Sequence, residues 1–153
     1  MKQYVDSLSL GAAEVGPTSR EFLAWIARHA VPPAALRFLG HTWVKDDQAF
    51  VGAITLMSES AILRQADAEP RWLAAGFLVF GSCMNGDMVA LDTRASPGSV
   101  WFLSHDELWG DDNADPRRFA VQVAPDLGDL VVRAWDIDNF PLDCEHAREL
   151  GGG

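Results

Sequence analysis

No run in this sequence approaches the ~20 apolar residues that a membrane-crossing helix needs, although 48% of its 153 residues are hydrophobic. The opening Met1-Lys2-Gln3-Tyr4-Val5-Asp6 has no apolar stretch of the kind that exports a chain. A cytoplasmic protein that does not engage membranes is therefore expected. Cysteine is scarce: Cys83 and Cys144 are the two present, and they form no Cys-x-x-Cys pair. That spacing leaves a zinc ribbon or a dithiol redox motif without support, and buried free thiols suit a reducing compartment. Positive charge is scarce too, with 12 basic residues against 22 acidic ones and a formal net charge of −10. Without a basic patch to neutralise phosphates, direct nucleic-acid binding is not expected. There are no internal repeats and no low-complexity segments.

What is present is enough apolar mass for one core. Six Trp and eight Phe in 153 residues suit a single domain over residues 1–150, with the glycines at 151–153 as a frayed tail. The organising stretch runs from Gly76 to Trp109. Three short apolar runs are separated there by two turn signals, Asn85-Gly86 and Ser96-Pro97-Gly98. Asn-Gly suits a tight type I′ hairpin, in which both central residues take φ > 0. Pro-Gly supplies a fixed φ followed by a residue tolerant of positive φ. The expectation is a three-strand antiparallel meander over about residues 76–104.

Alternation sorts its faces. Phe77, Val79 and Gly81 oppose Leu78, Phe80 and Ser82; Met88, Ala90 and Asp92 oppose Val89, Leu91 and Thr93; Trp101 and Leu103 oppose Val100 and Phe102. Both faces of the first strand are apolar, so it should be central, with helices over the sheet. The fold class expected is α+β: a twisted, mainly antiparallel sheet packed by N-terminal and C-terminal helices.

The flanking elements follow from caps and periodicity. Residues Tyr4, Val5, Leu8 and Leu10 alternate weakly, as an edge strand or a loose lead-in would. Thr18 and Glu21 have the spacing of a capping box, ahead of Phe22, Trp25, Ile26 and His29 on one helical face. Pro32-Pro33 ends that helix and starts a short one closed by Gly40. Residues 41–52 read as a loop, Ala53–Met57 as a strand, and Ser58 as the cap of a helix over Glu59–Ala68 with Ile62 and Ala66 inward. Pro70-Arg71-Trp72 leads into the meander. Ser104 and Glu107 make a second capping-box spacing before Leu108 and Trp109. Then come an acidic loop over Gly110–Pro116, a strand over Phe119–Val123, a helix opened by Pro125-Asp126, and a last helix over Asp143–Leu150. In the Pro125-Asp126 helix, Leu127, Leu130, Val131, Ala134 and Trp135 share a face.

A catalyst is hard to find. His105-Asp106-Glu107, with Asp87 and Asp92 at strand ends, is the most enzyme-like cluster, but His105 has no second histidine one helical turn away. Acidic residues there complement a helix N-terminus. Cys83 with a distant histidine is a formal nucleophile and base, yet its neighbours Phe80, Met84 and Met88 do not stabilise a thiolate. Gly81 to Gly86 matches no phosphate-binding spacing and precedes a strand. No catalytic, cofactor-binding or metal-binding residue is assigned, and no cofactor is expected. Trp43 and Trp109, beside polar loops, are candidates for exposed interface anchors.

An ordered series of segments resembles the SUKH superfamily of bacterial immunity proteins and fungal cell-wall-assembly regulators. The segments are Pro32 to Leu39, Phe77 to Gly81, Asn85 to Asp92, Val100 to Asp106 and Ala124 to Leu130, within residues 17–135. Gly40-His41 stands where the family has Asn-Gly. The resemblance implies an α+β binding protein that is not an enzyme: an antidote to a polymorphic toxin, often a nuclease or deaminase. A regulatory or scaffolding domain of the same fold, without a toxin partner, is the alternative. Charge adds the kind of partner. From Ser104 onward there are twelve acidic residues against four arginines, a net of −8, and such a surface either steers a basic partner or simply keeps the protein in solution. The partner-binding face expected comprises Asp111, Asp112, Asp115, Asp136 and Asp138, with Trp109 as an aromatic anchor between them.

Overall fold

A computed structural model describes residues 14–29, 31–46, 49–94, 97–109, 111, 113–136 and 138–151. The reading of Tyr4 to Leu10 lies outside these residues, as do Ser96, Asp112 and the last two glycines. The chain is α+β, and its centre is the meander. Strands β5 (Phe77–Ser82), β6 (Met88–Asp92) and β7 (Val100–Leu103) pair antiparallel in sequence order. The sheet continues on both sides through β3 (Ala49–Val51), β4 (Ile54–Leu56) and β8 (Ala120–Ala124), giving six strands in the order β3-β4-β5-β6-β7-β8. Two more, β1 (Val15–Pro17) and β2 (Thr42–Val44), pair separately.

The alternation of the meander divides the core. Leu78, Phe80, Val89, Leu91, Val100 and Phe102 join the larger cluster. Into it pack helices α1 (Arg20–Arg28), α2 (Pro33–Leu39), α3 (Glu59–Ala68), α6 (Leu127–Ala134) and α7 (Cys144–Glu149). Phe77, Val79, Ala90 and Leu103 form the smaller cluster with Trp72 of α4 (Pro70–Ala74) and Leu108 of α5 (His105–Leu108). Helices thus cover both faces of β5, whose Phe77 to Phe80 are all buried. The alternation shifts partway along β5: a bulge at Phe80 sets Gly81 opposite Val89 and Ser82 opposite Met88, and a Cβ on Gly81 would stand 2.8 Å from the Thr55 carbonyl oxygen. The extra residue of a bulge shifts the alternation by one.

Several local expectations are corrected. The Cys83 N–H donates to the Asp87 carbonyl and the Gly86 N–H to the Cys83 carbonyl. The loop is therefore Met84-Asn85-Gly86, a three-residue connection with Gly86 at φ +99°, in place of a two-residue type I′ turn. The segment 41–52 contains strands β2 and β3, because Trp43, Val44, Ala49 and Val51 are drawn into the larger core. A two-residue turn does occur at Gly52-Ala53, between the paired Val51 and Ile54. The cap of α1 is Ser19, whose hydroxyl accepts from the Phe22 N–H; Thr18 donates instead to the Leu39 carbonyl at 2.6 Å. Pro70 begins a helix of its own, and Ala66 is half-buried. Trp135 lies past the end of α6 and is half-exposed, away from the buried Leu127, Leu130 and Ala134.

Candidate functional site

The enzyme-like cluster is built around Asp87, which closes the β5–β6 hairpin. Its side chain is 4% exposed and collects four donors from three parts of the chain. Oδ1 accepts from the His105 backbone N–H (3.0 Å) and from the ring Nδ1–H (2.8 Å). Oδ2 accepts from the Cys144 N–H (2.8 Å) and the Asn85 side-chain amide (3.0 Å). His105 and Cys144 are the first residues of α5 and α7, whose N–H groups have no partner inside their own helices. Burial pushes the Asp87 carboxyl up, but the bonds from Asn85, His105 and Cys144 together outweigh it and hold the group below its ordinary value.

The remaining acids of that cluster go elsewhere. Asp92 ends β6 while Asp87 precedes it, roughly 17 Å away along an extended strand. Asp92 is fully buried and accepts two bonds from the Arg117 guanidinium, at 2.8 and 3.0 Å, and one from the Arg94 N–H at 2.7 Å. Arg117 also lies over the Phe77 ring, 4.6 Å from its centroid. Glu107 pairs with Arg148 rather than reaching back to complete a capping box, although the Ser104 hydroxyl accepts from the Glu107 N–H as expected. Among the described residues no three His, Cys, Asp or Glu side chains form a group fit for a metal. The second imidazole nitrogen of His105 lies 3.1 Å from Asp106, which is 86% exposed.

Both thiols are free and buried. Burial, and then the charges of Asp87 and Asp143, push the Cys83 thiol far above its ordinary value. Cys144 is pushed up to about 11, chiefly by burial, and its Sγ donates to the Phe119 carbonyl at 3.5 Å. Such thiols stay protonated near neutral pH, the reverse of what nucleophilic catalysis needs.

The aromatic candidates separate cleanly. Trp43 is buried and donates its indole N–H to the Met57 carbonyl at 2.8 Å. Trp109 is 82% exposed. Its loop is clamped from below by Arg71, which donates to the carbonyls of Leu108 (3.1 Å) and Asp111 (3.0 Å) on either side of the indole. Asp111 accepts from the Asn113 N–H, and Asp115 accepts from the Arg117 N–H to start a 3-10 turn at Pro116–Phe119. Both carboxylates are at the surface. The structure brings Trp109, Asp111 and Asp115 together beside the smaller core.

It does not gather the whole expected face. Asp136 and Asp138 are exposed after α6, which packs into the larger core and ends against Gly52 of the β3–β4 hairpin. The acids therefore form two clusters associated with different faces of the sheet, and Asp112 lies outside the described residues. Sequence reasoning missed the Arg71 clamp, for which no local pattern exists. It also missed the exposure of Val132 and Trp135, whose three-residue spacing places them on one helical side. No described helix is long and apolar enough to cross a membrane. No family model matches the chain, and no curated protein sequence does.

Proposed function

We propose that this chain is a non-catalytic protein-binding module that docks a basic partner on the Trp109 loop. The partner it suits best is a polymorphic toxin domain, with the chain as its immunity protein. The observation that carries the reading is Trp109 itself: a large indole 82% exposed, on a backbone fixed by Arg71, between the acidic loop residues and an acidic helix start. Holding an exposed indole on a fixed backbone reduces the ordering cost of binding. Indoles in the centre of interfaces are frequent hot spots. Asp111 and Asp115 attract a basic cleft over distance and raise the association rate, while contacts around the indole set the lifetime of the complex. The raised thiol values of Cys83 and Cys144 and the use of His105 to bind Asp87 support a binding role over a hydrolytic one.

The test is capture of partners from the protein's own cells with the wild type, Trp109→Ala and the double charge reversal Asp111→Lys/Asp115→Lys, at low and high salt. A protein held by the wild type, released by salt and lost in both variants is then expressed alone and together with the chain. Toxicity alone and rescue together is the expected result. A captured protein that is harmless by itself transfers the reading to a regulatory or scaffolding role. A partner indifferent to all three substitutions refutes the Trp109 surface.

A further inference from the structure

The two edges of the six-stranded sheet are treated differently. At β8, helix α7 lies alongside, and Arg148 donates to the Phe119 carbonyl just before the strand. At β3, no second strand pairs among the described residues. Ala49 and Val51 are buried, while Phe50 between them is 51% exposed. The β3–β4 hairpin turns at Gly52 and is wedged against the end of α6: a Cβ on Gly52 would stand 1.9 Å from the Ala134 carbonyl oxygen. That contact sets the close of α6 beside the open edge. Val132 and Trp135, 57% and 47% exposed, sit there with Asp136 and Asp138 just beyond. Among the described residues, three of the seven large exposed hydrophobic ones are thus carried by this corner of the fold.

We propose that the β3 edge takes an extended basic segment of another protein, added to the sheet as a further strand. Its backbone would use the N–H and C=O groups of β3 on the side that no described strand pairs. On the face of Phe50 its apolar side chains would lie against that ring, and on the opposite face, where α6 packs, its cations would reach Trp135, Asp136 and Asp138. The charge is one-sided: residues 126–138 carry four aspartates and one arginine, and that arginine, Arg133, is already paired with Asp129 within the helix. The strand itself, Ala49-Phe50-Val51, has none of the lysines, prolines or inward charges that protect an edge. A second copy of this chain would bring the same aspartates and another net charge of −10 against them, which disfavours self-pairing. This surface is separate from the Trp109 loop, so either can fail without the other.

The probe is a random dodecapeptide display library selected on the full chain, with selected peptides then titrated against variants whose far-UV circular dichroism matches the wild type. Selected peptides should alternate basic and apolar residues. They should lose roughly 10-fold or more in affinity on Phe50→Asp and on Trp135→Ser/Asp136→Lys, keep their affinity on Trp109→Ala, and shift the Ala49 and Val51 amide resonances. Failure to select any peptide, selection of acidic ones, or affinity unaffected by both edge variants overturns the proposal. Concentration-dependent dimerisation abolished by Phe50→Asp also overturns it, by giving the edge to a second copy.

Discussion

Replacing Asp87 by asparagine changes one atom, yet the geometry assigns it a large cost. Each carboxylate oxygen of Asp87 accepts two bonds. An asparagine amide can occupy only one side with an acceptor, so its NH₂ must face two donors whichever way it turns. At least two charge-assisted bonds are lost in a site whose side chain is 4% exposed. At about 1.5–3 kcal/mol for a hydrogen bond to a charged group, the expected loss is about 3–6 kcal/mol. For a chain of this size that corresponds to a melting temperature lower by about 10–20 °C. Urea unfolding near neutral pH, followed by tryptophan fluorescence, measures it. Asp106→Asn is the control, because Asp106 also faces His105 but is 86% exposed; its effect should stay within about 0.5 kcal/mol. Acid supplies a second readout. The folded pKa of Asp87 lies below its ordinary 3.8, so the unfolded chain takes up this proton first. The stabilisation is complete above the ordinary value and is lost as pH falls through the folded one. The gap between wild type and Asp87→Asn should therefore narrow below about pH 4, by up to about 1.4 kcal/mol per pH unit. A variant within about 1 kcal/mol of wild type near neutral pH, or a gap that widens in acid, would refute the view that Asp87 ties the hairpin to both helices.

Other consequences are more local. Gly52→Ala puts a Cβ against the Ala134 carbonyl at a residue with φ +57°, and should cost about 2–4 kcal/mol in chemical unfolding. Arg117→Met removes the guanidinium that lies over Phe77 and makes two bonds to the fully buried Asp92; a loss of about 3–5 kcal/mol in the same assay is expected. Trp109→Ala should leave the melting temperature within about 2 °C of wild type, since the indole is 82% exposed, while partner affinity measured by calorimetry falls roughly 30-fold. Cys83 and Cys144 should be inert to a thiol-specific disulfide reagent in the native protein and react fully once unfolded, because burial holds both as thiols.

The centre of the fold was legible because it is overdetermined. In Phe77 to Leu103 the alternation and two turn signals agree, and the two cores divide along the sides the alternation sets. Two of the three caps read from the sequence were legible for the same local reason, Ser58 accepting from the Ala61 N–H and Ser104 from the Glu107 N–H, while Thr18 gave way to Ser19. What escaped were two of the strands of three residues. Thr42–Val44 and Ala49–Val51 are too short for a period of two to stand out, and their pairing is fixed by contacts with Val15–Pro17 and Ile54–Leu56. Turn chemistry misled in a specific way. Asn85-Gly86 has the composition of a two-residue turn, but Asp87 is held by donors from α5 and α7, and the hairpin closes one residue wider. The true two-residue turn, Gly52-Ala53, has a less distinctive composition and a glycine required by its approach to α6.

Surface readings fared differently because charge along a chain carries no information about which face it reaches. Asp111, Asp115, Asp136 and Asp138 all belong to the acidic last third of the sequence. Between the two pairs, however, the chain forms β8 at one edge of the sheet and then α6, which ends beside the turn between β3 and β4, the first strands of the opposite edge. A single acidic face thus becomes two clusters, each next to a different exposed tryptophan, Trp109 and Trp135. The long-range contact that separates them is the meeting of Gly52 with Ala134, far apart in sequence and invisible to any local pattern. The same contact explains why an edge strand with no protective charge lies next to an exposed apolar helix end. A partner that reads only net charge would use either cluster equally. One that needs an extended main-chain partner would be drawn to the β3 side under the edge-pairing proposal, and one that needs an exposed indole to the loop clamped by Arg71. Substituting Trp109 and Trp135 singly and together against one purified partner therefore separates attraction by charge from docking by shape.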